Sequence, residues 1–344
     1  MNNDLRGLRI DLAGHDPGGD GKRDLSLACL KLGVMLINYR VMTMLVSDLF
    51  YIAAYYFLSG KLAGTNAAVN GLVEDYKDAV ASTTFSMLMN SAVTLISLVL
   101  TLLLGHIVLG FEFDGFLRPG KDGLKKGVMF FPACMVLNII FSELVDHFTR
   151  FMSSAGVTIP EADFSIKSPS KAAVILEMVY IVIVAPLVEE IVYRGMILGA
   201  LSKYGEIPAV VFSALCFGLM HGNIPQATAA FATGLAYASL AASSHSIMPS
   251  LAVHSLNNLI VIIPTVGKAL DISHVSTVVA VLDVIIAVLG VYILFTRYSY
   301  FKHKRNDVLN GRGETFKVII TNPVMIVYLL ILIVTMIDKI IRAN

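Results

Sequence analysis

The feature that most constrains this chain is a succession of apolar runs separated by short polar connections. The hydrocarbon core of a bilayer is about 30 Å thick, which a helix of about 20 apolar residues spans. Runs of this order occupy about 41–59, 84–110, 127–145, 172–201, 247–264, 274–297 and 318–337, with further ones at about 207–221 and 226–242. Lipid offers no partner to a backbone N–H or C=O, so runs of this kind can cross it only as helices. The expected fold is therefore an all-α polytopic membrane protein of about eight to nine transmembrane helices. Residues 25–38 are apolar but interrupted by Lys31, and read as an interfacial lead-in to the first span.

Composition excludes other classes. Of the 344 residues, 56% are hydrophobic and 15% charged, with a mean hydropathy of +0.75. Soluble domains carry about 25% charged residues. The net charge of +1 and the lack of a large basic block argue against nucleic acid as a partner. Cys29, Cys134 and Cys216 are widely spaced and lie mostly within apolar segments, so they read as small buried hydrophobes. Residues 1–24 are polar and glycine-rich and do not resemble a cleavable signal peptide.

Lys and Arg collect on the cytoplasmic side of membrane proteins. With the N-terminus inside, the tail (Arg6, Arg9, Lys22, Arg23), the 111–126 loop (Arg118, Lys121, Lys125, Lys126), the 202–206 turn and the 297–317 loop are all cytoplasmic. The connections at 60–80 and 146–171 are acidic or mixed. Nine spans, N-terminus in and C-terminus out, satisfy the rule.

An ionised group at mid-bilayer costs several kcal/mol and marks a functional candidate. Asp48, Glu143, Glu177 and Asp283 are single acids, for which packing against a neighbour or snorkelling is the better reading, as packing is for the lone His106. His245 reads as interfacial. The stretch from 185 to 258 differs, because polar groups recur there at helical spacing on consecutive spans. Within "APLVEEIVYRG", Glu190 and Arg194 are four residues apart and face one another as an ion pair. Glu189 lies about 100° round the helix and meets no local cation. Glu190 is therefore structural, and Glu189 is left free for a proton or a water. In "CFGLMHG", Phe217 and His221 are four apart, and Gly218 with Gly222 offers a small-residue face for a close neighbour. In "HSLNN", His254 and Asn258 are again four apart. At about 1.5 Å per residue, Glu189, His221 and His254 lie about 18, 21 and 10 Å from the cytoplasmic ends of their runs. That permits them to meet within the membrane.

A carboxylate and a neutral imidazole around one water form a general-base pair. A second imidazole and a carboxamide supply N–H donors to the oxyanion of an attacked peptide carbonyl. The same acid and histidines, Glu189, His221 and His254, are alternatively a zinc ligand set with water as a further ligand. HExxH and other close-spaced ligand pairs are absent from the sequence.

"EEIVYR" (189–194), "FGLMH" (217–221) and "HSLNN" (254–258) resemble the EExxxR, FxxxH and HxxxN signatures of the CPBP family, the CAAX-type and bacteriocin-processing (Abi) intramembrane endopeptidases. The resemblance covers about 172–264. It implies an intramembrane active-site cavity open to the cytoplasmic side, with Glu189 and His221 activating water. His254 and Asn258 would stabilise the oxyanion, and Glu190, Arg194 and Phe217 would support the site. The glutamate mechanism needs no cofactor, zinc being the alternative. Tyr193 stands where the family usually has phenylalanine, and Met248 where it often has tryptophan; neither change removes a reactive group.

The chain then divides into a cytoplasmic tail (1–24), an N-terminal region of about three spans (25–171), a catalytic core (172–264) and a C-terminal region (265–344) with the basic loop 297–317. The expected activity is hydrolysis of peptides or of lipidated, membrane-tethered proteins, in contact with membrane lipid. The rival readings are a non-proteolytic scaffold or immunity protein of the same family, and a proton-coupled transporter. The transporter would show paired broken helices in two related halves, and the sequence shows no internal repeat.

Overall fold

A computed structural model of the chain describes residues 21–77, 82–111, 123–160, 171–297 and 313–344. The tail before Gly21, Arg118 and Lys121 of the 111–126 loop, and most of the basic loop 297–317 lie outside the described residues. Regular structure among the described residues is helical throughout. The helices are α1 (Gly21–Ser59), α2 (Thr65–Asp75), α3 (Thr83–Leu109), α4 (Gly123–Ser154), α5 (Lys171–Leu201), α6 (Glu206–Leu219), α7 (Ile224–Ser244), α8 (Met248–Ala269), α9 (Val275–Arg297), α10 (Glu314–Thr321) and α11 (Pro323–Ala343).

Seven of these, α1, α3, α4, α5, α8, α9 and α11, are long and apolar enough to cross a membrane. The two remaining apolar runs fold as α6 and α7. With 14 residues, α6 reaches only about 21 Å at 1.5 Å per residue. The 21 residues of α7 are rich in Ala, Ser and Thr, and many are buried against neighbouring helices. The protein is thus polytopic, with two less apolar or shorter helices packed among seven lipid-compatible ones.

Residues 25–38 do not form a separate interfacial lead-in. They run straight on into the first span as α1, with Leu25, Ala28, Cys29 and Leu32 fully buried. Lys31 is tolerated because its Nζ donates to the carbonyl of Leu109, 3.2 Å away at the end of α3. The C-terminus of a helix carries partial negative charge and accepts such a cation. The polar connection at 60–80 contains α2, whose Ala68 and Leu72 are buried. All three cysteines are buried thiols, and His106 Nδ1 meets the carbonyl of Phe111 at 2.9 Å.

Small residues set the closest helix approaches, as packing within lipid requires. A Cβ on Gly218 would come within 2.6 Å of the carbonyl oxygen of Ala227 on α7. One on Gly290 of α9 would come within 2.2 Å of the Pro132 carbonyl on α4. Gly222 plays a different part from the one expected. It lies beyond the end of α6 with φ of +66°, so it serves the turn into α7 and not a helix face.

Gly218→Val should drive α6 and α7 apart, at a cost of about 1–3 kcal/mol for overpacking. Thermal unfolding in detergent should show a clearly lowered midpoint for it and none for Gly64→Ala, whose Cβ meets nothing within 4 Å.

Candidate active site

The centre of the site is set by an unusual stretch of α5. Two π-helical segments, Tyr180–Val184 and Ile191–Leu198, flank a short α-helical piece, Ala185–Glu190. Pro186 has no N–H to return to the preceding turn, and Ala185 N–H bonds back to the Tyr180 carbonyl. Widened turns of this kind leave carbonyls open to side-chain donors. Asn258 Nδ2 donates to the Ile181 carbonyl at 2.9 Å, and Ser213 Oγ donates to that of Tyr193 at 2.7 Å. Helices α8 and α6 are thereby tied to the two distorted turns.

Glu190 and Arg194 are both fully buried, and Arg194 Nη1 donates to Glu190 Oε1 at 2.9 Å. Arg194 Nη2 reaches the carbonyl of Gly234 on α7 at 3.3 Å. The guanidinium carbon lies 4.3 Å from the centre of the Phe217 ring and 5.4 Å from that of Tyr237. A desolvated cation between two π faces gains from both. Gly234 is required here, because a Cβ would approach Phe217 Cδ1 within 2.9 Å.

Glu189 turns away from this pair. Its side chain is 16% exposed and lines a cavity of about 640 Å³, whose wall also includes His221, His254, Asn258, Phe217 and Tyr237. The residues expected to form the site are thus brought together. Glu190 and Arg194 stand behind the wall, and Glu189, His221, His254 and Asn258 stand on it.

The two histidines are held differently. His221 lies in the turn just after α6, with Nδ1 2.9 Å from the Phe217 carbonyl. A carbonyl can only accept, so Nδ1 carries the proton and Nε2 of the neutral ring is the lone-pair nitrogen. His254 Nδ1 lies 3.1 Å from Glu190 Oε1, and its Nε2 lies 3.5 Å from Glu189 Oε2. It therefore bridges the two adjacent carboxylates, which the motif spacing does not disclose. Phe217 stands edge-on between the imidazoles, 5.2 Å from His221 and 5.4 Å from His254. Tyr237 stacks on His254 at 5.1 Å and 27°.

Sequence reasoning passed over several of these groups. Tyr237 and Gly234 sit in a run of small residues on α7 without a local pattern to single them out. Asn257, next to Asn258, is buried and accepts from Asn138 Nδ2 of α4 at 3.0 Å. Both asparagines line the cavity. Lone intramembrane asparagines are the signal that would have found them.

The zinc alternative calls for three donors on one point. Among the described residues no three His, Cys, Asp or Glu side chains converge closely enough to hold a metal ion.

Removing one partner of a buried ion pair strands the other charge, at about 3–5 kcal/mol, whereas replacing both by apolar residues is often close to neutral. Arg194→Met alone should give little folded protein. Combining it with Glu190→Leu should recover much of the thermal stability in detergent, as judged by unfolding midpoints.

A family model described as type II CAAX prenyl endopeptidase Rce1-like matches residues 171–260. No curated protein and no solved structure gives a significant match. The matched residues run from the start of α5 into α8 and carry every side chain that the three motifs contribute to the cavity. This segment is similar to the type II CAAX prenyl endopeptidase Rce1-like family, in keeping with the CPBP resemblance of its three motifs, and it is set within a polytopic helical membrane protein.

Proposed function

We propose that the chain is an intramembrane endopeptidase that hydrolyses peptide bonds of membrane-associated proteins or peptides by a metal-free, glutamate-dependent mechanism. The observation that carries this reading is the division between the adjacent carboxylates. Glu190 is committed to Arg194 and His254, while Glu189 faces the cavity.

A water between the Glu189 carboxylate and His221 Nε2 gives up a proton to this pair as its oxygen adds to the scissile carbonyl carbon. His221 is prepared for the role because the Phe217 carbonyl holds its proton on Nδ1. Negative charge then develops on the carbonyl oxygen. His254, with a proton on each nitrogen, keeps one on Glu190 and offers Nε2–H to that oxygen. Before the water gives up its proton, Glu189, Glu190, Arg194 and His254 in these forms sum to zero charge, the cheapest arrangement in a low dielectric. Asn258 spends one N–H on Ile181 and retains its second for the oxyanion. Collapse of the intermediate breaks the C–N bond, and the proton held by Glu189 and His221 passes to the leaving amine.

The substrate is a peptide bond near a membrane anchor, lipidated or helical, since the cavity has a mixed polar and apolar wall opening between helices. The apolar anchor stays in lipid while the bond reaches the acid.

Loss of a general base costs about 10²–10⁴ in rate. Glu189→Gln and His221→Ala should each lose cleavage by that order in membranes while keeping a wild-type unfolding midpoint. Cleavage that persists in both variants sinks the protease reading. Glu190→Gln should lose stability as well as activity. Elemental analysis of protein purified without chelator should find no stoichiometric zinc, and zinc at one equivalent, lost in His221→Ala, would overturn the metal-free mechanism.

A further inference from the structure

The structure places the start of α1 and the mouth of the cavity at opposite ends of the helix bundle. One end is tied together by contacts between distant segments. Lys22 pairs with Glu314 at 3.8 Å, Lys31 donates to Leu109, and Thr315 Oγ1 donates to the Tyr204 carbonyl at 3.3 Å. Gly127, near the start of α4, packs on Pro249 at the start of α8. The starts of α1, α4, α8 and α10, the end of α3 and the turn after α5 therefore share one face.

The other face is tied equally well. Asn344, after α11, exchanges hydrogen bonds with the backbone of Thr158, after α4, at 2.8 and 2.9 Å. Gly222, in the turn from α6 to α7, lies beside Lys339 of α11. The cavity runs towards this second face. From its floor at Tyr237, Phe217 and His254 it rises along α4 past Asn138 and Ser142 to Thr149. The floor is buried, and the α4 wall becomes exposed at Ser142 and Glu143.

A start of α1 on the cytoplasmic side and a cavity open to the cytoplasm cannot both hold in this fold. The charges decide between them. The helix ends at the first face are flanked in sequence by segments 1–24, 110–126, 202–206 and 297–317, which hold 15 of the 26 Lys and Arg residues. Those at the second face are flanked in sequence by segments 60–82, 146–171, 220–223, 268–275 and 338–344, which hold 8. Cationic loops stay on the cytoplasmic side, and the count of Lys and Arg, not the net charge, sets orientation.

We propose that the catalytic cavity opens on the non-cytoplasmic face, so that its substrates are peptide segments exposed on that side of the membrane. This rests on the protease reading for the word substrate, and on charge and topology alone for the orientation. The reacting band still lies within the membrane, but water and the scissile segment enter from the face bearing Thr158 and Asn344. Proteins whose lipidated ends remain in the cytoplasm are then excluded as substrates.

The test is labelling with a membrane-impermeant maleimide in intact bacterial cells producing the full chain. Cys29, Cys134 and Cys216 are buried, which keeps the background low. Ser142→Cys reports the cavity wall, Ser153→Cys the second face and Glu314→Cys the first. Ser142→Cys and Ser153→Cys should label before permeabilisation, and Glu314→Cys only after it. Labelling of Glu314→Cys in intact cells, with the other two protected until permeabilisation, overturns the proposal. A reporter phosphatase fused after Asn344 should be active if the orientation is correct, and inactive otherwise. None of these readouts needs turnover. A chain that labels as expected but whose cleavage survives Glu189→Gln loses the protease reading and keeps the orientation.

Discussion

The site is organised around one buried ion pair. Glu190 and Arg194 are excluded from solvent inside a membrane protein, where a lone charge would be prohibitive and a paired one is bearable only with further partners. Those partners define the neighbourhood. Phe217 and Tyr237 flank the guanidinium, Gly234 lets α7 come close enough to lend its carbonyl, and His254 shares Oε1 of the Glu190 carboxylate with Arg194. The pair fixes helices α5, α6, α7 and α8 relative to one another, and so fixes where Glu189 projects.

A second constraint is the backbone of α5. Its two π-helical segments would be costly in lipid if their displaced carbonyls stayed unpaired. Instead they accept from Asn258 and Ser213, which lie on two different helices. The irregular backbone becomes a joint, and it sits within hydrogen-bonding reach of the proposed chemistry. Asn258 accordingly has a structural duty beside the oxyanion role that the family resemblance implies, and the two hydrogens of its carboxamide allow both.

The sequence carried a good deal of this. Helical character followed from hydropathy and length, and the Glu190–Arg194 contact from a spacing of four, because neighbours at that separation on a helix must meet. The same rule separated Glu189 from its neighbour. It failed where periodicity ceases to apply. His221 and Gly222 fall beyond the end of α6, so Gly222 takes a turn conformation instead of extending a small-residue face. Residues 25–38 looked interfacial because of Lys31, whose stabilising carbonyl lies 78 residues away on α3. Tyr237, Asn138 and Asn257 belong to the cavity through packing between helices far apart in sequence, which no local pattern encodes.

What the sequence by itself determined is the chemistry on offer: which segments can enter a membrane, which acid has an ion-pair partner at i+4, and which connections are cationic. These are properties of spacing and composition, and they survive without knowledge of how helices pack. Only the tertiary structure decided how that chemistry is arranged. It set His254 between the two carboxylates, fixed the tautomer of His221 through a carbonyl of the preceding helix, and aimed the cavity at the end of the bundle away from Gly21. Those outcomes depend on the relative depth and rotation of α4 to α8, set by close packing at Gly218, Gly234 and the buried ion pair, and not by any residue's neighbours along the chain.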